Sequence, residues 1–171
     1  MQPVTCSPPE LEQYDLAQAN IAYTRAALSE PVMAGFVAQL EAINALADSS
    51  PGFVWRLQTE AGDATEIRAY DDERIIFNLS VWCSLEALTQ YVYRSQHAAV
   101  MRDRRHWFEK SQEPILVLWW LPRGQIPTVS EAKARLDHLR VHGPTPYAFS
   151  FKKPFSQPNT QLSEASHAVS Y

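Results

Sequence analysis

Apolar and polar positions alternate loosely from residue 14 to 23, where Leu16, Ala17, Ala19, Ile21 and Tyr23 set a period close to two. That rhythm predicts a strand. The period then changes. From Pro31 onward, Val32, Met33, Phe36, Val37, Leu40, Ile43, Asn44 and Leu46 recur at three-to-four spacing as far as Asp48, which predicts an amphipathic helix with proline in its first turn. Ser49, Ser50, Pro51 and Gly52 stop that helix and turn the chain into a second strand over 53–58. A polar connection marked by Gly62, Asp63, Asp71 and Asp72 leads to a third strand over 74–82, carrying Ile75, Ile76, Phe77, Leu79 and Val81. Ser84 stands as the cap of a second long helix with Glu86 in its first turn. Its stripe of Leu85, Leu88, Val92 and Ala99 is interrupted at Arg94, Ser95 and Gln96, and the helical pattern then runs on to Trp107 or Phe108.

The run from Ile115 to Leu121, bounded by Pro114 and Pro122, is apolar on both sides and predicts a strand covered on both faces. A third helix over 129–141 follows Thr128 and stops before Gly143 and Pro144. Strand, helix, strand, strand, helix, strand is the order of an α+β, ferredoxin-like βαββαβ domain. The extra helix and an extended Pro- and aromatic-rich segment are additions to it. The domain is expected over 13–155, with disorder expected over 1–12 and over the polar tail 156–171.

Composition narrows the function more than the fold. With 171 residues, 46% hydrophobic and 20% charged, the chain suits one globular core. A net charge of −4 argues against a nucleic-acid partner, because such binding rests on a positive field. No stretch approaches a membrane span, and residues 1–10 lack the basic and apolar pattern of an export signal. Cys6 and Cys83 are the only cysteines, so a reduced thiol at Cys83 and a cytoplasmic location are expected.

Several segments together carry a resemblance: Pro51 to Thr59, Asn78-Leu79-Ser80-Val81-Trp82, Tyr93-Arg94-Ser95-Gln96-His97, Trp107-Phe108 and Ala148-Phe149-Ser150-Phe151. They resemble the uncharacterised bacterial domain-of-unknown-function 3291 family of the dimeric α/β-barrel superfamily, from about residue 16 to 155. The resemblance implies a homodimer. A sheet covered by helices on one face, with apolar residues such as Phe77 and Val117 available to the other, gives a second reason to expect pairing. The segment of Phe149, Phe151 and Phe155 is expected to strap across its own subunit or to reach the partner. The superfamily includes antibiotic-biosynthesis monooxygenases, haem-degrading oxygenases, haem peroxidases and cyclases, so the fold alone selects no reaction.

His97 leads the candidate chemistry. A break before it would re-aim the helix, and spacings of four, three and four would place His97, Met101, Arg104 and Phe108 on one face. Imidazole can act as a base near neutrality or ligate haem iron. The alternative is a half-buried structural histidine. In active members of the resembled superfamily the pocket lies between this helix and the sheet, and haem-degrading and quinone-forming members use an asparagine on the first strand. Asn20 is the matching candidate, able to hydrogen-bond an enol or phenolate without changing charge, against the alternative of a polar strand residue.

Trp55 and Trp82 are expected to form an aromatic floor, while Trp119 and Trp120 must face opposite sides. Arg102, Arg104 and Arg105 fit a carboxylate or haem propionate, although a solvated helix face is the commoner role of such a cluster. His138 and His142 have helical metal spacing without a third ligand, so no metal is expected. Two functions follow. One is a small cofactor-independent monooxygenase or cyclase acting on a hydrophobic aromatic or polyketide-like molecule. The other is a non-catalytic barrel that binds haem or another planar ligand.

Overall fold

The computed structural model describes residues 14–158 apart from 61 and 66, so the expectations of disorder over 1–12 and over the end of the tail lie outside the described residues. Four strands form one antiparallel sheet: β1 (Tyr14–Tyr23), β2 (Phe53–Arg56), β3 (Ile75–Trp82) and β4 (Leu116–Pro122), in the spatial order β2-β3-β1-β4. Helix α1 (Ala34–Asp48) joins β1 to β2, while α2 (Leu85–Arg94) and α3 (His97–Asp103) join β3 to β4. α4 (Val129–His142) follows β4. This is an α+β chain with the element order that the hydrophobic pattern predicts. No described helix is long and apolar enough to cross a membrane.

Local chemistry sets the helix ends. Ser84 Oγ accepts the Ala87 amide at 3.1 Å and Thr128 Oγ1 accepts the Glu131 amide at 3.0 Å, each satisfying a donor that has no partner inside its helix. The expected start of the first helix resolves into a short 3₁₀ turn, Pro31–Met33, ahead of α1. The predicted interruption at Arg94, Ser95 and Gln96 is present as the break between α2 and α3. The continuation to Phe108 is not: α3 stops at Asp103, and Arg104–His106 form a 3₁₀ turn. The reason is tertiary. The Arg25 amide donates to Trp107 O and the Glu109 amide to Tyr23 O, both at 2.8 Å, which draws residues 107–109 alongside the end of β1.

Two cores occupy the two faces of the sheet. Ala17, Ala19 and Ile21 of β1 join Phe77, Leu79, Val81, Val117, Trp119 and Leu121 beneath Ala132, Leu136 and Leu139 of α4. Leu16, Trp82 and Leu118 face the other way, with Ala87, Leu88 and Val92 of α2 and with Phe149. α4 therefore sits where a second sheet would have to pack, and the apolar face expected to drive homodimerisation is already covered by the chain's own helix.

Trp119 and Trp120 fall on opposite faces, as strand alternation requires. The aromatic strap stays on its own chain: Phe149 and Leu118 exchange backbone hydrogen bonds at 2.8 and 2.9 Å, and Trp120 Nε1 donates to Phe155 O at 2.7 Å. Cys83 departs from expectation. It belongs to a disulfide, which removes the reduced-thiol argument for the cytoplasm.

Gly52 closes the turn into β2 at φ 83°, and a Cβ there would lie 2.5 Å from Ala87 Cβ and 2.9 Å from Cys83 Sγ. Both the left-handed backbone and the contact with α2 exclude a side chain. Gly52→Ala is expected to lower the unfolding free energy by about 3 kcal/mol, read as a lower urea midpoint at unchanged slope.

Candidate functional site

On the face packed by α1 and α2, the central strands carry polar side chains in place of a continuous apolar floor. Alternation along β1 puts Leu16, Gln18 and Asn20 on this side, and pairing with β3 sets them opposite Trp82, Ser80 and Asn78 in turn. Asn20 is half-buried and Asn78 exposed, although both lie on inner strands. The helices therefore stand off the sheet at this point. The apolar stripe of α1 agrees: Phe36, Leu40 and Ile43 are only half-buried, and Ala47 alone is buried on that helix. Polar side chains of the sheet and apolar side chains of α1 are thus both left partly open on this side.

His97 opens α3 and is placed by the break before it. Ser95 Oγ accepts the His97 amide at 3.1 Å and donates its own proton to Tyr91 O, tying the start of α3 to the last turn of α2. His97 Nδ1 lies 3.3 Å from Val92 O. A carbonyl only accepts, so this contact is a hydrogen bond only when Nδ1 carries the proton, and Nε2 is then left with its lone pair. Burial holds the His97 pKa below its ordinary value, partly opposed by the Val92 carbonyl. Tyr91, tilted against the His97 ring at 4.8 Å, has its phenol pushed well above its usual range, mainly by burial, and donates to Ile43 O of α1 at 3.3 Å.

A continuous chain of contacts links the two leading candidates. The His97 ring meets Tyr91, which stacks on Trp82 at 4.9 Å. Trp82 Nε1 donates to Ser80 Oγ at 3.0 Å, Ser80 Oγ to Gln18 Oε1 at 2.9 Å, and Gln18 Nε2 to Asn20 Oδ1 at 2.8 Å. His97 on α3 and Asn20 on β1 thus belong to one connected assembly.

The remaining candidates separate. Trp82 is buried between Phe53 and Tyr91 and anchors the polar chain instead of presenting a ligand surface. Trp55 pairs opposite Val81 and packs in the α4 core, so Trp55 and Trp82 do not share a floor. The cause is a register shift between Phe53 and Trp55. Met101 is exposed and Arg104 half-buried, and Phe108 packs edge-on against Phe36 of α1 at 4.9 Å, a contact made possible by the turn that ends α3. Arg102 and Arg105 are exposed. His138 binds Thr145 Oγ1 at 3.1 Å and lies 4.5 Å from the His142 ring, while no group of three or more His, Cys, Asp or Glu side chains suited to a metal gathers among the described residues. A shallow groove on the opposite side runs along α4, but Lys133 at its edge is committed to Ala69 O at 2.7 Å. It lies far in the fold from the His97 assembly.

Gln18, Ser80, Asn78 and Tyr91 are the site residues that the sequence reading passed over. For Gln18, Asn78 and Ser80 the available signal was parity: Gln18 and Asn20 in β1, and Asn78 and Ser80 in β3, are each two apart and so share a face.

The fold defines an α+β protein with a polar patch on one face of its sheet. The chain belongs to the family described as Domain of unknown function (DUF3291), which it matches over residues 15–165. No curated protein matches the sequence. Among solved structures, a protein from Pseudomonas aeruginosa is 11% identical, with 66% of this chain and 96% of that one covered and a TM-score of 0.43. A protein of unknown function from Nitrosomonas europaea is 12% identical, covering 68% and 97% at 0.46. SnoaB, a cofactor-independent oxygenase from Streptomyces nogalater, is 16% identical, covering 67% and 99% at 0.43.

Because the folded His97 pKa lies below its unfolded value, the unfolded chain binds more protons in the window between them, and stability falls as pH drops below about 6.5 toward the folded pKa. Above that window the contribution is constant. Melting temperatures measured from pH 8 to pH 5 are expected to fall less steeply in His97→Gln than in the wild type, and parallel curves would remove this role.

Proposed function

We propose that the polar patch around Asn20 and the facing side of α1 form a cleft that binds a small hydrophobic, aromatic molecule and acts as a cofactor-independent monooxygenase, with His97 as general base and Asn20 as the hydrogen-bond donor to substrate oxygen. The observation that carries this reading is the connected assembly from His97 to Asn20. His97 Nε2, with its proton held on the other ring nitrogen by Val92 O, is an acceptor for a carbon-bound proton. The depressed pKa keeps it unprotonated at neutral pH. Asn20 would steady the enolate that forms. Such a carbanion reacts with dioxygen directly, one oxygen atom entering the product and the other leaving as water. Phe36, Leu40 and Ile43 of α1 would face the ring system. Met101, Arg104 and Phe108 would stand at its α3 side.

A cyclase would use the same deprotonation without dioxygen. The alternative of haem or another planar ligand held without turnover uses the same Nε2 as an iron ligand, and a histidine whose other nitrogen meets a backbone carbonyl suits that role. A polar chain ending at Asn20 favours the first reading, because the face of a porphyrin offers no oxygen for it. A homodimer, as the resemblance implies, would be built on a surface other than the sheet face under α4.

Oxygen uptake with anthrone, an enolisable polycyclic aromatic ketone, tests the proposal. The wild type is expected to accelerate uptake over buffer, with His97→Ala reduced roughly 100-fold and Asn20→Ala by about as much. Turnover that persists without oxygen would select the cyclase. A visible haem band gained on titration with haemin and lost in His97→Ala would select the alternative.

A further inference from the structure

The polar chain across the sheet has a direction. An indole Nε1–H can donate and cannot accept. Trp82 spends that donor on Ser80 Oγ, and Ser80 turns its own proton to Gln18 Oε1. With its carbonyl end taken, Gln18 presents its amide nitrogen to Asn20 Oδ1. The acceptor end of Asn20 is thereby occupied inside the chain, and its two Nδ2–H donors are directed away from it.

Burial supports the arrangement. Gln18 is 8% exposed and Trp82 1%, so the middle of the chain is removed from water. Turning Gln18 over would set its donors against the Ser80 proton and its carbonyl against that of Asn20. Turning Asn20 over would set two amide donors against each other. Either change made alone leaves polar groups unpaired.

We infer that Trp82, Ser80 and Gln18 are positioning residues that hold Asn20 with its donor end toward the cleft, which makes the site select a ligand presenting an anionic oxygen, a phenolate or enolate, over the same ligand presenting a hydroxyl proton. This rests on the proposal that the cleft takes an aromatic molecule. It adds that the preferred protonation state of that molecule is set by residues that never touch it.

The test uses 4-nitro-1-naphthol, whose phenolate absorbs visible light, titrated into the purified full-length protein across pH. The wild type is expected to bind phenolate about tenfold more tightly than phenol, so that the bound probe ionises about one pH unit below the free probe. Ser80→Ala and Gln18→Leu, each checked for native circular dichroism, are expected to abolish that preference, and Ser80→Thr to restore it by returning the hydroxyl. A purely structural role would weaken phenol and phenolate together and leave the ionisation of the bound probe at its wild-type value. That result, or an unshifted probe on the wild type, overturns the inference and leaves the aromatic cleft standing. Failure of the wild type to bind either form overturns both.

Discussion

Strand β1 is hydrogen-bonded along both of its edges, to β3 from Leu16 opposite Trp82 to Tyr23 opposite Ile75, and to β4 from Tyr14 opposite Pro122 to Asn20 opposite Leu116. Side chains alternate across a strand, so one register decides both faces together. The register that seats Ala17, Ala19 and Ile21 under α4 also turns Leu16, Gln18 and Asn20 toward the face packed by α1 and α2. A slip of one residue would bury both amides in the apolar core and expose the alanines. The site is thus a consequence of the same pairing that builds the core.

The two faces are closed to different degrees, and that asymmetry leaves the polar patch partly open. α4 seals its side with Ala132, Leu136 and Leu139, leaving the sheet residues beneath it almost without solvent contact. On the other side, α2 seals one end through Leu88, Val92 and the Trp82–Tyr91 stack, while α1 stands off the other. A full seal there would desolvate Asn20 and Asn78 without enough partners, at a cost of about 1–3 kcal/mol for each unsatisfied group. The polar chain from Trp82 resolves the problem at its buried end by pairing each group, and ends where burial ends.

Much of this was legible in the order of residues. The change from a period of two to one of three to four located all four strands and the long helices, and Ser84 and Thr128 announced their helices by side-chain capping. The break before His97 was equally local, because Ser95 binds backbone on both sides of it. The aromatic floor was not legible. A strand irregularity between Phe53 and Trp55 reverses which face a tryptophan takes, and residue types alone do not announce it. The end of α3 escaped for a similar reason, since hydrogen bonds to Tyr23 and Arg25, remote in sequence, outcompete a helical pattern that continues to Phe108.

The sequence by itself determined the elements, their order, the caps and the candidacy of His97 and Asn20, because these depend on period and on contacts within a few residues. Only the tertiary structure decided that α4 covers the sheet face thought open to a second copy. Only it joined His97 to Asn20 through Tyr91, Trp82, Ser80 and Gln18, and decided which end of the Asn20 amide is left unoccupied. The physical reason is common to these cases. Burial, and the direction of a hydrogen bond between residues 62 apart such as Gln18 and Ser80, are properties of strand register and layer packing, which no local pattern contains.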